Sequence, residues 1–134
     1  MLVVEDNEDA QIITTSTLVH FGYDVIKAEN LEQARQLARQ QRPDVVILDC
    51  RLPDGDGLEL ARSWRRDASM KTVPVIVLTA FSARQDVEAA LLAGADAFLV
   101  KPVPGAILAA QVDKLLAGAL PSQTLRAGGR DRSK

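Results

Sequence analysis

Five side chains in this sequence have the types and spacing to handle a phosphoryl group. Glu5 and Asp6 follow the apolar run Leu2-Val3-Val4, and Asp49 follows Val45-Val46-Ile47-Leu48. Thr79 follows Val75-Ile76-Val77-Leu78, and Lys101 follows Ala97-Phe98-Leu99-Val100. Three carboxylates brought together repel one another, and their pKa values rise unless positive charge joins them. A hard divalent cation such as Mg2+ meets that need with oxygen ligands and keeps waters for a phosphate-bearing partner. Lys101 adds a fixed positive charge and Thr79 a hydroxyl donor. In such a site Asp49 is the nucleophile, while the metal, Lys101 and Thr79 stabilise charge on the transferring phosphoryl oxygens.

The elements that must deliver these groups are legible from hydrophobic periodicity. The runs at 2–4, 25–26, 45–48, 75–78 and 97–100 are rich in Val, Ile and Leu and do not alternate, as strands buried on both faces should read. Between and after them, helical patterns cover roughly 8–21, 31–41, 57–68, 84–93 and 105–117. Asn30-Leu31-Glu32-Gln33 opens the second helix with an N-cap and a Gln three residues on. The first helix is expected to end at Gly22 and the last at Gly118, where glycine tolerates the left-handed cap conformation. Strict strand–helix alternation predicts an α/β fold, a doubly wound parallel sheet with helices on both faces. Ligands bind beyond the C-terminal ends of such strands, near the point where strand order reverses. That is why a buried strand can end on a charge at Asp49.

Composition agrees with a single domain. The chain has 134 residues, 47 % hydrophobic and 25 % charged, ordinary values for a soluble globular protein. Residues 1–120 carry 12 basic and 17 acidic side chains, whereas 121–134 carry four basic and one acidic. Neither balance marks a nucleic-acid surface, so no direct nucleic-acid binding is expected. Cys50 is the one cysteine, which excludes a disulfide framework and fits a reducing compartment. No apolar run reaches the length of a membrane span, and no signal-peptide pattern opens the chain, so a cytoplasmic location without membrane contact is expected.

Four motifs, VVEDN (3–7), ILDCRLPDGDG (47–57), PVIVLTA (74–80) and AGADAFLVKP (93–102), resemble in order and spacing those of the receiver domains of two-component response regulators. The likeness covers about 2–117. It implies a flavodoxin-like fold of five parallel strands in the order 2-1-3-4-5 with five helices. It makes Asp49 the phospho-acceptor and gives Mg2+ to Asp6 and Asp49, with Glu5 acting mainly through water and the Arg51 backbone carbonyl completing the protein ligands. Thr79 and Phe98 resemble the family's switch pair, and the Lys101-Pro102 bond is expected to be cis. The implied partners are a histidine kinase or histidine phosphotransfer protein and an unknown output partner or output domain, with homodimerisation through the face of the fourth helix, fifth strand and fifth helix as a further option. The receiver domain is placed at 1–118, with a flexible tail or linker start at 119–134.

The remaining candidates read as follows. Asp9 could cap the first helix in place of Glu5 or Asp6. Cys50, next to Asp49, should point the opposite way and fill core space. His20 suits the C-terminal end of the first helix. Trp64, with Leu60 and Ala61, lies on the apolar stripe of the third helix. Asp54 and Asp56 flank Gly55 in a turn and bond locally there, and neither is a metal ligand. Arg51 and Phe81, two residues beyond Asp49 and Thr79, should overhang the site mouth as gates against attacking water. Partner choice should rest on the first helix, chiefly Ile12, Thr15, Ser16 and Val19. Only four residues precede Glu5, fewer than the resemblance implies for a first strand, so either the native chain starts earlier or the strand is frayed at its beginning. Rival readings fare worse: aspartyl phosphohydrolases resemble one another in an Asp two residues after the nucleophile, where this chain has Arg51. Neither G-x-x-x-x-G-K nor G-x-G-x-x-G occurs. A receiver-like module stripped of its chemistry would not keep the acidic pair, Asp49, Thr79 and Lys101.

Overall fold

The computed structural model describes residues 1–80 and 84–119. Its parallel sheet contains β1 (Leu2–Val4), β2 (Ile26–Ala28), β3 (Val46–Leu48), β6 (Val75–Thr79) and β7 (Ala97–Val100). Their order is β2-β1-β3-β6-β7, the expected 2-1-3-4-5 pattern once a small hairpin is set aside. That hairpin, β4 (Arg51–Leu52) and β5 (Gly55–Asp56), follows β3 directly and pairs antiparallel. Five helices complete the described residues: α1 (Glu8–His20), α2 (Leu31–Gln40), α3 (Gly57–Arg65), α4 (Arg84–Leu92) and α5 (Gly105–Ala119).

Because neighbouring residues of a strand face opposite ways, the sheet builds two cores. Val4, Val46, Leu48, Val75 and Val77 pack with Leu31 and Ala34 of α2, Leu60, Ala61 and Trp64 of α3, and Ala90 of α4. Val3, Ile47, Ile76 and Leu78 pack on the other side with Leu18 of α1 and with Leu108 and Val112 of α5. Trp64 thus belongs to the core, as its stripe predicted. Burial on both faces explains the unbroken apolar runs.

Several boundaries differ from expectation. β1 is not frayed: Leu2, Val3 and Val4 are fully buried and pair with β2 on one side and β3 on the other. α3 ends at Arg65, where Arg66 and Asp67 turn back onto Ser63 and Trp64 carbonyls. α1 does close at Gly22, whose φ of 95° only glycine adopts freely. α5 instead runs through Gly118 to Ala119, so that glycine is not its cap. The remainder of the expected tail lies outside the described residues.

Arg65 joins three parts of the fold. Its guanidinium donates to the carbonyls of Gly94, Lys71 and Val73 and to the Asp96 carboxylate, which also accepts from Val75 N–H. The ion pair is partly open to water and adds little, whereas the carbonyl bonds use the rigid guanidinium fork. Arg65→Ala should lower unfolding stability by about 2–4 kcal/mol, and Arg65→Lys should recover only part of it, read by urea titration.

Candidate phosphorylation site

The five residues singled out by spacing converge at the C-terminal edge of the sheet. Strand order reverses at β1 and β3, and the carboxylates of Glu5, Asp6 and Asp49 stand beyond these two strands. One oxygen from each lies within 4.8 Å of the others. Backbone bonds set the positions: Asp49 N–H donates to the Val4 carbonyl, and Glu5 N–H to the Ala28 carbonyl. Asp6 is exposed, whereas Glu5 is 6 % exposed. Lys101, just past β7, donates from Nζ to Glu5 Oε1 and stands 3.5 Å from Asp49 Oδ2. Its backbone N–H bonds the carbonyl of Thr79, which ties the ends of β6 and β7 together at 2.8 Å. Thr79 is fully buried, and the Lys101-Pro102 peptide is cis.

The electrostatics follow from this packing. Burial pushes the Glu5 carboxyl above its ordinary value, against the Lys101 bond and the Asn7 N–H that hold it down, with Asp49 pushing it further up. Burial pulls the Lys101 ammonium down, but the Glu5 bond and the charges of Asp49 and Glu5 outweigh it and leave the group raised. Among the described residues three carboxylates face one ammonium, so the pocket is short of positive charge. An all-oxygen donor set with that deficit fits a hard cation such as Mg2+.

Other expected residues fall around this centre. Arg51 is exposed, and its backbone N–H donates to Asp49 Oδ1 at 3.3 Å. Phe98 is half-buried on β7 and packs against the α2–α3–α4 core. Cys50 is half-buried against that same core. His20 is exposed in the last turn of α1, edge-on to Phe21. Phe81, the other expected gate, lies outside the described residues.

Two supports escaped sequence reading. Gln11, buried on α1, donates from Nε2 to both the Glu5 and Ala28 carbonyls, closing the ends of β1 and β2. Asp56 bonds locally as expected, capping α3 through Leu58 N–H. Asp54 does not: its carboxylate reaches across to α2 and accepts from Leu31 and Glu32 N–H at 2.8 and 3.2 Å. The Leu31 bond is the main reason its pKa lies below the ordinary value, since burial opposes the shift and Glu32 adds to it. A contact spanning 23 residues leaves no local signal.

Gly57 meets the site through close approach. A Cβ there would sit 2.1 Å from the Asp49 backbone oxygen, a contact that backbone must move to relieve. Gly57→Ala should therefore cost about 2–4 kcal/mol by urea titration and displace the Asp49 backbone, seen as changed amide shifts at Asp49 and Cys50.

A doubly wound 2-1-3-4-5 sheet with three carboxylates and a lysine at its switch point defines the receiver class, and comparison with known proteins places the chain there. It belongs to the response regulator receiver domain family, which it matches over residues 1–113. It is 34 % identical over 103 residues to the polar-differentiation response regulator DivK of Brucella anthropi, covering 77 % of this chain and 84 % of that protein. It is 43 % identical over 102 residues to the KDP operon transcriptional regulatory protein KdpE of Escherichia coli, covering 76 % of this chain but only 44 % of that longer protein. Among solved structures, the receiver domain of the sensor histidine kinase PA1611 of Pseudomonas aeruginosa aligns with a TM-score of 0.81 at 35 % identity, over 87 % of this chain and 95 % of that one. That structure holds a magnesium ion in its active site cleft. No helix among the described residues is long and apolar enough to cross a membrane.

Proposed function

We propose that Asp49 is the phospho-acceptor of this receiver domain and that it takes the phosphoryl group, in a Mg2+-dependent reaction, from a histidine kinase or histidine phosphotransfer protein. The carrying observation is the Lys101 ammonium held between Glu5 and Asp49 at the mouth of β3. One Asp49 carboxylate oxygen attacks phosphorus, the bond from phosphorus to the donor's nitrogen breaks, and the imidazole leaves with its electron pair. Arg51 N–H orients the Asp49 carboxylate for that attack through Oδ1. Lys101 turns from Asp49 to the incoming phosphoryl oxygens, and the Thr79 hydroxyl donates to them. Asp6 and Asp49, with the Arg51 carbonyl and with Glu5 mainly through water, would hold Mg2+, which neutralises charge on those same oxygens when bound.

The phosphorylated carboxylate gains acceptor oxygens and charge, so states that bring Thr79 and Lys101 toward it gain population. Because Thr79 and Lys101 share a backbone bond, both strand ends respond together. Phe98 on β7 then turns inward with Thr79, and the α4–β7–α5 face changes shape. Leu91, Leu92, Val100 and Ile107 give that face exposed apolar side chains, which suits contact with an output partner or a second copy of the chain. Ile12, Ser16 and Val19 stand exposed on α1, available to the phosphodonor, with Thr15 half-buried among them. Arg51 acts as a gate at the mouth, and the receiver unit spans 1–118.

Intact mass after incubation with acetyl phosphate tests the reading. A single phosphoryl adduct that requires Mg2+ is expected. A folded sample that acquires none would reassign the chain to a receiver that works by contact alone.

A further inference from the structure

We propose that Asp54 is a positioning residue for the phosphorylation site: by seating the β4–β5 hairpin on the first turn of α2, it fixes the backbone of Arg51 and with it the Asp49 carboxylate. The inference rests on the phospho-acceptor reading above and adds to it a residue outside the charged pocket.

The hairpin needs an anchor. Its ladder has two residue pairs, Arg51 with Asp56 and Leu52 with Gly55, and an isolated ladder of that size does not hold its shape in water. Its base is fixed on the α3 side, where Asp56 caps the helix and Gly57 N–H donates to the Cys50 carbonyl at 2.7 Å. Its tip is fixed on the α2 side by Asp54 and Gly55. Asp54 takes the Leu31 and Glu32 N–H groups, which Asn30 leaves available because its own side chain accepts from Gln33 N–H. Gly55, at φ 147°, lies so close to α2 that a Cβ would meet Leu31 Cδ1 at 2.9 Å. Polar and van der Waals contacts thus seat the tip on the same residue, Leu31.

Arg51 lies between these two anchors. Its N–H is the donor to Asp49 Oδ1, and its carbonyl belongs to the proposed metal-binding set. Freeing the tip lets the Arg51 peptide rotate, which loosens the carboxylate's orienting donor and displaces that carbonyl together. Geometry held in this way is what outer residues contribute to a metal site.

The competing explanation is that Asp54 only stabilises α2. Asn30 separates the two, since its side chain caps the same helix end through Gln33 N–H, a bond made within α2 itself. Mg2+ titration by calorimetry and amide hydrogen exchange on the full chain provide the readouts. Asp54→Ala should weaken Mg2+ binding roughly tenfold, the lower end of what losing an outer partner costs. It should also speed exchange at Arg51 and Gly57. Asp54→Asn should recover part of both, because its carbonyl still accepts from Leu31 while its amide nitrogen faces Glu32 N–H. Asn30→Ala should weaken α2 yet leave Mg2+ affinity at the parent value. Parental affinity in Asp54→Ala, or equal weakening in Asn30→Ala, overturns the proposal. A parent chain that binds no Mg2+ would instead overturn the phospho-acceptor reading. Exchange at Arg51 and Gly57 would still decide about Asp54, with unchanged rates counting against it.

Discussion

Asp49→Asn is expected to take up no phosphoryl group from acetyl phosphate and, without metal, to withstand more urea than the parent. The first half follows from chemistry: a neutral amide oxygen is too weak a nucleophile to displace the donor, so the adduct vanishes rather than diminishes. The second half follows from charge. Glu5, Asp6 and Asp49 face one ammonium, so removing one carboxylate charge relieves more repulsion than it forfeits in attraction to Lys101, which keeps its bond to Glu5. A gain of about 1 kcal/mol is expected in metal-free buffer, consistent with charges that partly face water. Saturating Mg2+ should cancel or reverse the ranking, because the parent binds the ion more tightly and binding to the folded state stabilises it. Intact mass and paired urea titrations check both halves. An undiminished adduct in Asp49→Asn would place the phosphoryl group on another residue.

Lys101→Met is expected to slow phosphorylation by about 10²–10³-fold, the scale of removing one preorganised donor from developing charge. Its effect on the metal-free fold runs opposite to that of Asp49→Asn. Glu5 is nearly buried and loses the ammonium that compensates it, so stability at neutral pH should fall by about 2–3 kcal/mol. The sign with pH follows from linkage. The folded-state pKa of Lys101 lies above 10.5, so its stabilisation is whole below that value and disappears as pH rises through the raised folded value. The gap between parent and variant in urea should therefore persist at neutral pH and close only at strongly alkaline pH. A variant with parental stability at neutral pH would show that Glu5 does not depend on Lys101, and a parental phosphorylation rate would remove Lys101 from the chemistry.

The sheet and the charged centre were legible in advance for a specific reason. In a parallel sheet buried on both faces, a strand announces itself as an apolar run, and the residue ending the run must emerge at one edge. Glu5, Asp6, Asp49, Thr79 and Lys101 are all such residues, so their convergence needed only the strand order. What could not be read were the contacts that hold this edge in place. The hairpin's two-residue strands are too short to carry a periodic pattern. Asp54 has the composition of an ordinary turn residue, and only folding reveals that its carboxylate spans to Leu31 and Glu32. Gln11 is likewise an unremarked polar residue on a helix until the sheet supplies two carbonyls beneath it. Arg65 resembles a surface arginine at a helix end, yet it bonds three carbonyls from two loops. Each of these contacts joins segments that local propensity does not relate.

The place of β1 in the sheet has a consequence for how the molecule comes apart. Leu2, Val3 and Val4 are the seam between β2 and the rest of the sheet, since among the described residues β2 has no other strand beside it. Three residue pairs hold β2, against four for β7 at the opposite edge, so β2 with α2 is the edge unit most easily lifted from the sheet. Opening along that line would break the Glu5 N–H bond to the Ala28 carbonyl and pull α2 from the hairpin tip in a single motion, while β1 stayed paired with β3. Degradation that begins by fraying this seam would thus loosen the supports of the phosphorylation site while the larger block of β1, β3, β6 and β7 still stood.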